Sequence, residues 1–88
     1  MTETPSLIEY PSDFPIKIFG ATQDGYEQAV LTVVRAHAPD FDPATMEKRS
    51  SGNARYTSLT CTVRVTSREQ LDNLYRDLTS HPMVKMVL

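Results

Sequence analysis

A chain of 88 residues with nine Lys or Arg and eleven Asp or Glu, formally −2, has room for one small domain and exerts no global pull on nucleic acid or anionic membrane. Its single cysteine excludes an internal disulfide, and no apolar run approaches the roughly 18 to 20 residues that span a bilayer. The start of the chain has neither the basic region nor the apolar core of a secretion signal, so the expected compartment is the cytoplasm, with no membrane partner.

Residues 1–6 are polar and are expected to form a flexible tail, with residues 7–88 making the single domain. Leu7, Ile8 and Tyr10 are expected on the domain surface, ahead of a turn at Pro11-Ser12-Asp13. Phe14 to Phe19 predicts a first strand, with Phe14, Ile16 and Ile18 on one side and Lys17 and Phe19 on the other. Pro15 is tolerated there because the opening residues of a strand need not donate to the ladder. Gly20 to Gly25 is a polar connection in which Thr22, Gln23 or Asp24 is expected to cap the following helix. From Gly25 to His37 the period turns helical, with Tyr26, Ala29, Val30, Val33, Val34 and His37 on one stripe. Ala38-Pro39 stops this helix, and Phe41 is expected beneath its end. The carboxylates of Asp40 and Asp42 fall short of the ligand count calcium needs, so no metal site is read there.

Ala44 to Arg49 predicts an edge strand with Met46 inward and Lys48 and Arg49 solvated. Ser50-Ser51-Gly52-Asn53-Ala54 then carries the turn chemistry of a hairpin. Tyr56 to Val65 alternates with period two for its whole length and is expected to be central in the sheet. Thr57, Leu59, Cys61, Val63 and Val65 make its core side, where Cys61 reads as a small buried hydrophobe. Ser67 and Gln70 have capping-box spacing for a second helix that carries Leu71, Leu74, Tyr75 and Leu78 to about Ser80, before His81-Pro82 ends it. Met83 to Leu88 predicts a last strand, with Val84 and Met86 inward and Lys85 in water.

The order β-α-β-β-α-β predicts an α+β fold, a ferredoxin-like sandwich of a four-stranded antiparallel sheet with two helices on one face and the first and third strands central. The uncovered face then collects Lys17, Phe19, Tyr56, Ser58, Thr60, Thr62, Arg64, Met83, Lys85 and Val87. Hydroxyls and cations around aromatic and aliphatic side chains fit a wet protein interface. The interface candidates are Lys17, Phe19, Tyr56, Thr60, Thr62, Arg64 and Lys85, facing a second copy of the chain or a separate protein.

Phe14-Pro15-Ile16-Lys17, Val34 to Phe41, Tyr56-Thr57-Ser58-Leu59 and the closing His81-Pro82-Met83-Val84-Lys85-Met86-Val87-Leu88 resemble the YbeD family of small bacterial proteins. The resemblance covers nearly the whole chain after the tail, and the closing octapeptide is its most specific part. It implies a ferredoxin-like domain similar to the ACT regulatory domains, which bind amino acids and other small ligands beside metabolic enzymes. It also implies a ligand site in the loop after the first strand, carried here by Gly20, Thr22, Asp24 and Gly25. Backbone amides at a helix start can hold a carboxylate, and Asp24 can take an amino group, so a small carboxylate or amino-acid ligand is expected. A domain without its own catalytic partner would have to regulate a separate enzyme.

Catalytic signatures are absent: no nucleophile has a base at recognisable spacing, no Cys/His metal motif occurs, and no cofactor is called for. His37 and His81 each stand at a helix end, where the helix dipole accounts for them. The expected function is a non-enzymatic regulatory or protein-interaction module. The rival reading is RNA binding on the open sheet face, through Phe19 and Tyr56 with Lys17, Arg64 and Lys85, as in RNA-recognition modules of this fold. The third strand lacks the glycine-aromatic signature of those modules and the net charge is negative, which disfavours a nucleic-acid partner.

Overall fold

In the computed structural model, which describes residues 9–88, the elements run β1 (Ser12–Ala21), α1 (Tyr26–His37), β2 (Glu47–Ser51), β3 (Tyr56–Val65), α2 (Arg68–Thr79) and β4 (Met86–Val87). The expected tail, with Leu7 and Ile8, lies outside the described residues. The four strands form one antiparallel sheet in the order β2-β3-β1-β4, so β1 and β3 are central. This is the ferredoxin-like arrangement that the element order predicts.

The long alternating strand sets the core. Leu59, Cys61, Val63 and Val65 are fully buried, and Thr57 nearly so. β1 pairs with β3 along all ten residues, from Ser12 opposite Val65 to Ala21 opposite Tyr56, which puts Ile16 and Ile18 on the same side. Tyr26, Val30 and Val34 of α1 and Leu71, Leu74 and Leu78 of α2 close over that side, with Ala38 and Phe41 filling the end. Each fully buried Leu, Ile or Val contributes roughly 1.5 to 3 kcal/mol relative to exposure, so this face holds the sheet and helices together.

Several boundaries differ from the sequence expectation. Ser12 and Asp13 belong to β1 and not to a turn, because β3 runs on far enough to offer them Val65 and Arg64 as partners. Ala44 lies in a 3₁₀ turn, Pro43–Thr45, whose preceding Asp42 accepts the Ala44 N–H at 3.0 Å, so β2 begins only at Glu47. Ser50 and Ser51 are strand residues opposite Thr57 and Tyr56. The hairpin turn is tighter than expected: Gly52, Asn53 and Ala54 all have positive φ.

The last strand has the opposite phase to the one expected. Val87 pairs with Ile18 on the core side and Met86 with Phe19 on the open side. Five of its six expected residues are apolar, so local alternation does not specify a face, and pairing with β1 does. Met83 and Val84 pack against the core just before β4, and exposed Lys85 donates its N–H to the Phe19 carbonyl at 2.7 Å.

The two helices start differently. Ser67 Oγ accepts the Gln70 N–H at 3.1 Å, as the capping box requires, but Gln70 Oε1 takes the N–H of Thr66 and not that of Ser67. Gln70 Nε2 donates to the His37 carbonyl at 2.8 Å, so the same residue ties the start of α2 to the end of α1. α1 has no side-chain cap: the capping position is Gly25, at φ 85°, and neither Thr22, Gln23 nor Asp24 fills that role.

Candidate functional site

The loop between β1 and α1 opens a cleft of about 700 Å³. Thr22, Asp24 and Gly25, three of the four residues expected to bind ligand, line it together. Gly20 does not; it is buried beneath Tyr26, whose hydroxyl donates to the Ile18 carbonyl at 3.0 Å. Thr22 Oγ1 lies 2.7 Å from Thr57 Oγ1, which ties the loop to the central strand. Because glycine occupies the cap, no side chain covers the positive end of the α1 dipole.

Among the lining residues that the sequence reading did not assign to the site are Lys48, Glu27 and Thr57. Lys48 pairs with Leu59, so it lies on the helix side of the sheet while its neighbours Glu47 and Arg49 lie on the other. Its ammonium reaches Glu27 Oε2 at 3.1 Å across the cleft. Strand alternation within Glu47–Ser51 was the signal that would have placed it. The lining thus carries both signs, Asp24 and Glu27 against Lys48 and the helix start.

The open face of the sheet is the second candidate. Two rungs cross it: Arg49, Ser58, Phe19 and Met86 form one, and Glu47, Thr60, Lys17 and Leu88 the other. Leu88 joins the second through reciprocal backbone bonds with Lys17 at 3.0 and 2.8 Å. Thr62 and Arg64 continue the face towards its far end, where Arg64 lies 3.6 Å from Asp13. Among the described residues the exposed large hydrophobics are Tyr56 at 49 %, Met86 at 48 % and Leu88 at 62 %, and all three lie on this face. Val87, expected here, is replaced by Met86.

The remaining reactive groups are tied into structure. Burial pushes the Cys61 thiol up to about 11, far from a thiolate nucleophile at neutral pH. Tyr26 rises to about 12 through burial and the nearby Cys61. His37 Nε2 sits 2.6 Å from Asp77 between the helices, and His81 Nδ1 accepts the Met83 N–H. Among the described residues no three His, Cys, Asp or Glu side chains are grouped to hold a metal, and no helix is long and apolar enough to cross a membrane.

Residues 5–88 match the model of a family described as "Protein of unknown function (DUF493)". The chain is 61 % identical over all 88 residues to a UPF0250 protein of Nitrosomonas europaea, with both chains fully covered. It is 59 % identical over 85 residues to one of a Janthinobacterium species, covering 97 % of this chain and 93 % of that one. Protein HP0495 from H. pylori superposes with a TM-score of 0.70 at 19 % identity, covering 98 % of this chain and 89 % of that one. The ACT domain from the GTP pyrophosphokinase of Chlorobium tepidum gives 0.59 at 20 % identity, covering 88 % and 97 %. Both structural likenesses carry the fold. With the family match running almost from end to end, this chain belongs to the DUF493 (UPF0250) family of small bacterial proteins, the YbeD-like proteins, and it has an ACT-like ferredoxin fold.

Proposed function

We propose that the protein is a non-enzymatic, cytoplasmic regulatory module that holds a small zwitterion of the amino-acid type in the cleft at the start of α1, and acts on a separate enzyme. The observation that carries this reading is the convergence of unlike charges in one cleft: uncapped α1 amides offer partners for a carboxylate, Lys48 keeps further N–H donors beside the one it gives Glu27, and Asp24 offers an acceptor for an ammonium. A purely acidic or purely basic cleft would favour a simple ion. The ACT-like fold supports the same reading.

Thermal shift against a panel of amino acids and related carboxylates tests it. A ligand at 100 times its Kd adds roughly 2.7 kcal/mol, which in a domain this size raises Tm by on the order of 10 °C. Asp24→Ala and Lys48→Ala should each reduce that shift. A panel that leaves Tm unmoved, or a shift that survives both substitutions, would refute the site.

A further inference from the structure

The open sheet face has an internal arrangement that is complementary to itself. Its two central rungs are neighbours: Arg49, Ser58, Phe19 and Met86 in one, and Glu47, Thr60, Lys17 and Leu88 in the next. Within every strand, a residue of one rung is chemically complementary to the residue beside it in the other. Glu47 complements Arg49, Lys17 complements the ring of Phe19, Thr60 complements Ser58 and Leu88 complements Met86. We propose that this face binds a second copy of the chain, related by a two-fold axis that lies across the strands midway between these rungs.

Such an axis lays each strand antiparallel over its own counterpart and exchanges the rungs. Glu47 then meets the second copy's Arg49 twice, and Lys17 meets the second copy's Phe19 twice as a cation–π contact. Met86 lies against the second copy's Leu88, so two of the three exposed large hydrophobics are covered. Tyr56, one rung further out, faces the second copy's hydroxyl-bearing Thr62. The Arg64 and Asp13 pair stands at the end of the face and is already neutralised within one chain.

Charge agrees with this occupant, and area sets how tightly it binds. Lys17, Arg49 and Arg64 against Asp13 and Glu47 leave the face near neutral, so two copies do not repel, while a polyanion would find too little positive charge. The strands differ in length, ten residues in β1 and β3, five in β2 and two in β4, so at about 3.4 Å per residue and about 4.8 Å between strands the face has a flat footprint of roughly 440 Å². That is about half of the roughly 800 Å² that a standard interface takes from each partner, so the contact belongs to the small class, below roughly 600 Å² a side, whose association is weak. Sheets stacked face to face lie about 10 Å apart, which side chains from two such faces fill.

Sedimentation velocity over a micromolar concentration series tests the assignment with charge reversals at exposed positions. Glu47→Arg sets cation against cation and Arg49→Glu sets anion against anion, so each alone should weaken self-association by about tenfold or more. The double variant should recover the parental behaviour, and an equimolar mixture of the two single variants should form the mixed dimer. Met86→Glu should also abolish association. A chain that is monomeric throughout the series, or that associates regardless of the single reversals, overturns the proposal. So does association that follows the reversals but tolerates Met86→Glu, which would place the contact on the β2 edge. Salt-sensitive micromolar binding of single-stranded RNA that Tyr56→Ala abolishes would assign the face to a different partner and overturn it as well.

Discussion

The ring of Tyr26 lies so close over Gly20 that a Cβ added there would stand 2.5 Å from Tyr26 Cε1, with the Met83 carbonyl oxygen crowding it as well. The contact joins the end of β1, the first turn of α1 and the segment leading into β4. Gly20 is thus required by packing, and its place in the ligand loop follows from that.

Gly20→Ala is therefore expected to cost about 1 to 3 kcal/mol or more as overpacking, since one of the crowding atoms is backbone and cannot swing aside. Gly25→Ala should cost about 1 to 2 kcal/mol for a different reason: its φ of 85° disfavours a Cβ although the space around it is open. Urea unfolding of both variants checks the order. A Gly20→Ala protein as stable as the parent would show that the Tyr26 contact yields easily.

The two sides of β3 give a second comparison. Leu59 is fully buried and Thr60 lies on the open face, so Leu59→Ala should lose about 2 to 5 kcal/mol and Thr60→Ala far less. Equal losses in denaturant melts would mean that the open face is covered in solution, and that result should then depend on protein concentration.

Alkaline pH should loosen the core through Cys61. In the unfolded chain the thiol ionises near its ordinary value of 9.0, whereas the native thiol keeps its proton up to about 11. The unfolded state therefore gains by releasing a proton first, so the stability from this group is full below pH 9 and is lost as the pH rises towards 11. Tyr26, raised to about 12, extends the decline upward from 10. Unfolding midpoints measured from pH 7 to 11 should fall above pH 9, and less steeply in Cys61→Ala. An identical fall in the two proteins would remove Cys61 as the cause.

What the sequence determined by itself was set by local periodicity. Tyr56 to Val65 alternates for ten residues with no competing pattern, and Ser67 with Gln70 marks a helix start through bonds that span only a few residues. These features suffice for the element order and hence for the sheet topology. The tertiary structure decided what depends on pairing. Met83 to Leu88 has apolar residues in both phases, and only its register against Phe19 and Ile18 turned Met86 out and Val87 in. Lys48 entered the cleft because β2 pairs with Leu59 through that residue, and Gly20 left it because Tyr26 folds back over β1. A strand's alternation specifies two faces, but which one meets the core is settled by its neighbours, since the backbone bonds equally well either way round.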